Sequence, residues 1–331
     1  MVSILMPVHN TAQYLPACLD SILNQTFRDW ELIAINDHST DNSKQILEKY
    51  ARKDPRIRWY SNDQKGIIPA LEKALQYSQG EMVHRMDSDD LMPVDKLEKL
   101  HQKLVESGRG SVVTGMVRYF STDQELKQGF IDYGNWINKH IVRDTIFEDI
   151  FIECPIASPA WLMYREDLDR IGGITDGIYP EDYDLVFRMY VHGLTPKGIS
   201  SVIHHWRDWP KRASRTKKEY KDQLFFDLKV RYFLKYKYRP EDKVVIWGAG
   251  RKGKKLFRRF QKFGIRPAWV TENTKKVGHV IYGTTLSTPG GLLHSSRQVI
   301  VAISNPGARA DIRRRMEKRG LVNNTDIFFF C

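Results

Sequence analysis

Glu81-Met-Val-His-Arg-Met-Asp-Ser-Asp-Asp90 runs from an apolar stretch straight into three carboxylates within four residues. The first part, to Met86, reads as a buried strand, so the acids fall in the loop at its carboxyl end. Carboxylates this close repel one another unless a cation or a positively charged ligand neutralises them. Such hard oxygen donors suit Mg²⁺ or Mn²⁺, which one or two carboxylates hold together with substrate phosphates. A plainer reading stays open, because Asp is also favoured in solvated loops and at helix N-termini. Towards the N-terminus the same alternation repeats. Val2-Ser-Ile-Leu-Met6, closed by Pro7, reads as a strand, as do residues 31–36 and 57–60. Helical spacing fills the intervals: Leu15, Leu19, Ile22 and Leu23 within 11–25, then 44–52, then 67–79 with Gly80 as its stop. Strands alternating with helices imply parallel βαβ crossovers and a doubly wound α/β sheet. Ligands of such sheets sit at the carboxyl ends of the strands, where Asn36-Asp37 and Asp87 to Asp90 both lie.

Beyond residue 100 the pattern is less regular. Residues 111–119 and 161–164 look like strands, and 181–191 like a helix stopped by Gly193. Acids in the first turn of that helix (Glu181, Asp182, Asp184) suit the macrodipole, and one of them is also well placed as a general base. At the end of the second strand, Asp37 is suited to accept hydrogen bonds from a ribose or base edge, while Ser39 and Asp41 read equally well as helix caps. Residues 219–238 form a basic, aromatic helix ended by Pro240, which reads as a linker. A new α/β pattern starts at Lys243. It holds Gly248-x-Gly250-x-x-Gly253 between a strand and a helix, the context of a phosphate-binding turn, with Glu272 19 residues beyond Gly253 where an acid would meet a ribose. The expected domains are therefore 1–216, a basic helical linker at 217–242, and a small Rossmann-like domain at 243–331.

Composition excludes several classes. The chain has 331 residues, 41% hydrophobic and 28% charged, which is globular rather than disordered. No run approaches the roughly 18 apolar residues of a membrane span. The N-terminus carries no basic leader or small-residue cleavage site, and three scattered cysteines suit a reducing compartment, so the expected location is cytoplasmic. The net charge of +12 is local: residues 207–266 hold 21 Lys/Arg against 6 Asp/Glu, and the remainder is slightly acidic. That segment reads either as a solvated basic face or as a surface for an anionic ligand, an anionic membrane or nucleic acid.

Four motifs in order, from Val2 to about Thr216, resemble the family 2 glycosyltransferases, the inverting group with the GT-A nucleotide-diphospho-sugar transferase fold. They are Ser3-Ile-Leu-Met-Pro-Val-His-Asn10, Glu31-Leu-Ile-Ala-Ile-Asn-Asp-His-Ser-Thr-Asp41, Arg85-Met-Asp-Ser-Asp-Asp90 as a DXD region, and Gly172-Gly173 with Glu181-Asp182. The resemblance places Pro7, His9, Asn10, Asp37, Gly66, Arg85, Asp87, Ser88 and Arg207 on the donor side. It implies Asp89 as the ligand of Mn²⁺ or Mg²⁺ and Asp182 as the base that deprotonates an acceptor hydroxyl. The sequence departs from the family at two places. The usual pair of acids ending the second strand is Asn36-Asp37, and Trp209 stands where many relatives have a histidine near the metal, leaving His204 or His205 as substitutes or core residues.

The expectation is metal-dependent, inverting transfer from a nucleotide-diphosphate donor, UDP-linked by analogy, to a glycan or lipid-linked hydroxyl. The C-terminal module looks like an NAD-type site (Gly248, Gly250, Gly253, Glu272), although no Tyr-Lys or Cys constellation follows it. An oxidoreductase or sensor working through that module is the alternative. The segment that carries Lys217, Lys218, Lys221, Lys229, Arg231, Lys235 and Lys237 with Phe225, Phe226, Tyr232 and Phe233 reads in two ways. It is a peripheral attachment to an anionic membrane or, the favoured reading, an element whose aromatics pack between the domains while its lysines are solvated. Nucleic acid is disfavoured because three clustered acids serve no such partner.

Overall fold

The computed structural model describes residues 1–175, 178–216, 222–291 and 297–331. Lys217, Lys218 and Lys221, central to the membrane expectation, lie outside the described residues. Two units emerge: residues 1–147 with 155–217, and residues 148–154 with 218–331.

The first unit runs β1 (Val2–Val8), α1 (Leu15–Leu23), β2 (Trp30–Asn36), α2 (Ser43–Lys53), β3 (Ile57–Ser61), α3 (Ile67–Tyr77), β4 (Met82–Arg85), α4 (Lys96–Ser107), β5 (Ser111–Phe120), α5 (Gln128–Val142), β6 (Trp161–Tyr164), α6 (Arg165–Arg170), α7 (Glu181–Val191), β7 (Thr195–Arg207) and α8 (Ala213–Thr216). Its seven strands form one sheet, ordered β3-β2-β1-β4-β6-β5-β7. β2 is buried at every position, which explains its nearly unbroken apolar run: a parallel strand covered on both faces has no solvent side. The sheet is mixed rather than wholly parallel, since β6 runs antiparallel to both β4 and β5. β1 and β4 are parallel neighbours, but the crossovers lead from β1 to β2 and β3 on one side and return to β4 on the other, so a crevice opens at the carboxyl ends of β2, β1 and β4.

The second unit contains α9 (Asp222–Tyr236), β8 (Lys243–Trp247), α10 (Arg251–Lys262), β9 (Ala268–Val270), β10 (Val280–Ile281), β11 (Thr284–Ser287), β12 (Arg297–Val301), α11 (Pro306–Glu317) and β13 (Ile327–Phe329). Its sheet is ordered β10-β11-β9-β8-β12-β13, parallel except for the β10–β11 pair. The stretch read as a linker supplies α9, a core helix of this unit. Phe233 is fully buried and meets Phe260 and Phe328 edge-on, with ring centroids 5.7 and 4.9 Å away. Phe226, Tyr232 and even Lys229 are buried as well, the Lys229 Nζ donating to the Ile152 carbonyl at 2.6 Å. Side chains committed to a core cannot lie at a lipid headgroup, so this corrects the membrane reading for those four residues.

Candidate active site

The crevice of the first unit is built from strand ends. After β1 the chain turns through Asn10, whose φ of 53° is the left-handed conformation that Asn tolerates best among residues with side chains. The turn is tied to the end of β2: His9 Nδ1 meets the Asp37 carbonyl at 2.6 Å, and Asn10 Oδ1 accepts the Thr40 N–H at 2.8 Å. Pro7 lies in β1, paired with Ile35. Asp37 is buried, and its carboxylate accepts the Asn62 side-chain amide and the Gly66 backbone N–H, both at 2.9 Å. Gly66 has φ 146°, beyond what a residue with a Cβ adopts readily, which is why a glycine opens α3. Among the described residues the Asn36 Oδ1 beside it is buried without a hydrogen-bond partner, an acceptor left unmet.

On the neighbouring strand end, Arg85 Nε donates to Asp87 Oδ1 at 2.9 Å, and Ser88 Oγ hydrogen-bonds Thr11 Oγ1 at 2.9 Å. Asp89 Oδ2 accepts the Trp209 indole N–H at 2.5 Å. Burial first, and then the Asp87 charge, push the Asp89 carboxyl above the usual carboxylate range. A divalent cation would relieve that repulsion. Among the described residues the second oxygens of Asp87 and Asp89 have no side-chain hydrogen-bond partner, so the pair fits a hard cation. Among the described residues no three acids, histidines or cysteines gather closely enough to hold a metal unaided. A bound ion would take its remaining ligands from diphosphate oxygens and water.

The histidine question is answered by a buried chain. Asp90 accepts the Arg207 N–H at 2.6 Å through Oδ1 and meets His204 Nε2 at 3.0 Å through Oδ2. His204 Nδ1 meets Lys96 Nζ at 3.0 Å, and Lys96 also donates to the Pro159 carbonyl at 2.7 Å. Burial holds His204 well below its ordinary pKa and Lys96 down at about 7. A neutral imidazole that donates from Nε2 to Asp90 and accepts at Nδ1 from Lys96 satisfies all three groups. His204 is therefore a core histidine clamping the acidic loop, while His205 lies in the β-bridge to Leu91. Arg207, expected on the donor side, lies against the acidic loop. Its Nε donates to the Asp89 carbonyl at 2.7 Å, and its guanidinium lies between the Tyr14 and Phe120 rings, 4.6 and 4.4 Å from their centroids.

Arg85 also reaches a second acid, Glu181 Oε1, at 3.2 Å. Glu181 opens α7, and Asp182 follows it. Burial and then the Glu181 charge push the Asp182 carboxyl up to about 7, with Arg85 pulling the other way. One guanidinium thus links the DXD loop to the helix that carries the expected base.

In the second unit the three glycines differ in what they do. A Cβ on Gly253 would lie 1.8 Å from the Gly248 carbonyl, and one on Gly248 would crowd the Ala302 carbonyl at 2.9 Å. These two let turn, helix and sheet pack. Gly250 has open space around it. Glu272 lies two residues beyond the end of β9 rather than at it, and its Oε1 is paired with Arg315 at 2.5 Å.

Lys96, Trp209 and Glu181 entered no expectation about function as partners of the acids. The spacing of Leu97, Leu100 and Leu104 signals the α4 helix, but nothing local marks Lys96 as buried.

Residues 3–172 match the family described as Glycosyl transferase family 2. The chain is 31% identical over 150 residues to Glycosyltransferase GlyA of Streptococcus pneumoniae, covering 45% of this chain and 20% of that protein. It is 36% identical over 116 residues to the putative teichuronic acid biosynthesis glycosyltransferase TuaG of Bacillus subtilis, covering 35% of this chain and 46% of that protein. The matched region thus spans less than half the length of these curated relatives. Among solved structures, S. aureus TarS 1–349 in complex with UDP-GlcNAc superposes with a TM-score of 0.56 at 18% identity, covering 72% of this chain and 68% of that one.

Proposed function

The chain belongs to glycosyl transferase family 2, and from that premise we propose that its first unit moves a sugar from a nucleotide-diphosphate donor to a glycan hydroxyl, inverting the anomeric carbon. The observation that supports this is the bridge that Arg85 makes from Asp87 to Glu181, the residue before Asp182, with the Asp182 carboxyl raised to about 7. A base with that pKa is ionised at working pH yet basic enough to draw a proton from a hydroxyl in the transition state. Asp37 orders the Asn62–Gly66 loop against which a base and ribose would rest. Asp87 and Asp89 are the residues that would hold Mn²⁺ or Mg²⁺, whose chemistry is to neutralise charge building on the departing diphosphate. Arg85 orients Asp87 and lies close enough to Asp182 to stabilise its ionised form. The Lys96–His204–Asp90 chain and the Trp209 indole fix the loop, so the carboxylates need little reorganisation during reaction.

A UDP-sugar is the donor we favour, supported by the fold shared with TarS, which was solved with UDP-GlcNAc. Polysaccharide synthesis is the setting we favour, supported by TuaG and by 39% identity over 98 residues to the chondroitin synthase of Pasteurella multocida. The test is a screen of UDP- and GDP-sugars with Mn²⁺, Mg²⁺ or EDTA, following nucleotide release and the anomeric configuration of any product. Metal-dependent release with an inverted product is expected. Turnover unaffected by EDTA, or a retained configuration, overturns the mechanism.

A further inference from the structure

A cluster of cations without ion-pair partners among the described residues lies in the second unit. Arg251, Lys254, Lys255 and Arg258 follow the i, i+3, i+4, i+7 spacing of one helical face on α10. They line a groove of about 440 Å³ with Lys276 and Tyr282. None of these five cations forms a salt bridge among the described residues, whereas Arg259 on the same helix pairs with Asp227. Arg258 instead lies over the Tyr282 ring at 4.4 Å, and Lys276 donates to the Ala249 carbonyl at 3.3 Å. Like charges on one face repel, so this wall suits a counter-charge supplied from outside the chain.

The groove continues into a cleft of about 790 Å³ at the carboxyl ends of β8, β9 and β12, and the two share Ala249, Gly250, Arg251 and Lys276. Strand order reverses there, since the chain leaves β8 for β9 and β11 on one side and then crosses back to β12 on the other. Apolar Ile303, Ala308 and Ile312 line the cleft together with Thr271, Asn273 and Asn305, a mixture suited to a heterocycle and its sugar. The acids bordering it, Glu272 and Asp311, both lie against Arg315 at 2.5 and 3.8 Å, so they leave the other cations uncompensated. Gly250 joins the two spaces. A Cβ there would meet nothing within 4 Å, and φ −86° is open to any residue, so the fold does not require a glycine at this position. Its bareness instead exposes backbone where cleft and groove meet.

We propose that the second unit binds a nucleotide carrying a diphosphate, with the nucleoside in the cleft and the phosphates running past Gly250 into the basic groove. The site is separate from the donor crevice and stands whether or not the transferase reading holds. The experiment is calorimetric titration of the whole protein in EDTA with ADP, UDP, NAD⁺ and inorganic pyrophosphate, whose arms identify the source of the diphosphate. At least one nucleotide should saturate. Gly250→Asp, and separately the pair Lys254→Glu with Lys255→Glu, should weaken it more than tenfold while leaving the ligand-free melting temperature unchanged. Asp37→Asn, in the donor crevice, should leave it intact. The proposal fails if no nucleotide saturates the wild type, if both groove variants bind as the wild type does, or if Asp37→Asn removes the binding. It also fails if pyrophosphate alone binds as tightly as the best nucleotide, since the cleft would then contribute nothing.

Discussion

Asp182 is the residue on which the transferase reading depends most. Its carboxyl, raised from 3.8 to about 7 by burial and by Glu181, must be ionised to act as a base. Transfer should therefore fall about tenfold per pH unit below about 7, and Glu181→Gln should move that limb to lower pH; a profile flat from pH 5 to 8 would place the base elsewhere. Linkage gives the same carboxyl a second signature. The native state holds a proton between about pH 4 and 7 that the unfolded chain has released, so stability declines as pH rises through that window. Asp182→Asn, permanently uncharged, should raise the melting temperature at pH 8 and leave it unchanged near pH 4, while lowering transfer roughly a hundredfold or more. Asp89→Asn removes one of two anionic oxygen donors and should cut metal-dependent donor turnover by roughly a hundredfold. Metal titration against turnover checks it, and the half-saturating metal concentration of the wild type should rise as pH falls, because the raised Asp89 carboxyl is then protonated. The types and order of these acids could be read from sequence. Their partners could not: Trp209 lies 120 residues from Asp89 and His204 lies 114 from Asp90, so each contact exists only once β7 reaches the edge of the crevice.

At the scale of elements, the turn between β8 and α10 separates two kinds of glycine. Gly253→Ala would drive a methyl to 1.8 Å from the Gly248 carbonyl, displacing α10 from the sheet. Thermal unfolding should show the second unit strongly destabilised, whereas Gly250→Ala should be neutral. Equal effects would mean that the turn is not packed as described. Helix α9 offers a matching test. Phe233 is fully buried between aromatic rings, and Phe233→Ala should cost about 3–5 kcal/mol in urea unfolding. A loss below about 1 kcal/mol would restore α9 to the role of a solvated connector. The sequence misleads here for a physical reason. A helix with basic and aromatic residues interleaved shows no clear apolar stripe, and Lys229 reaches the Ile152 carbonyl from inside the core as readily as lysines elsewhere reach water.

For the whole molecule, the division into units does not follow the chain. Residues 148–154 belong with 218–331. Phe151 stacks on Phe330 at 5.2 Å and meets Phe328 edge-on at 5.4 Å, and Arg313 pairs with Glu148 at 2.8 Å and with Asp149. A fragment of residues 218–331 alone lacks these groups and should unfold at lower urea than the same fragment with residues 148–154 supplied by a linker; equal midpoints would show the segment to be peripheral. From sequence alone came what depends on near neighbours: the alternating elements, the strand-end acids, the ordered family motifs and the glycine turn, since 3.6-residue and two-residue periodicities and turn chemistry are local. Tertiary structure alone decided the antiparallel β6, the Lys96–His204–Asp90 clamp, the seating of Arg207 on the Asp89 carbonyl beside the Tyr14 and Phe120 rings, and the claim of the second unit on residues 148–154. Each is a pairing between groups tens to nearly two hundred residues apart, chosen by what burial leaves unsatisfied, and nothing in the intervening chain encodes it.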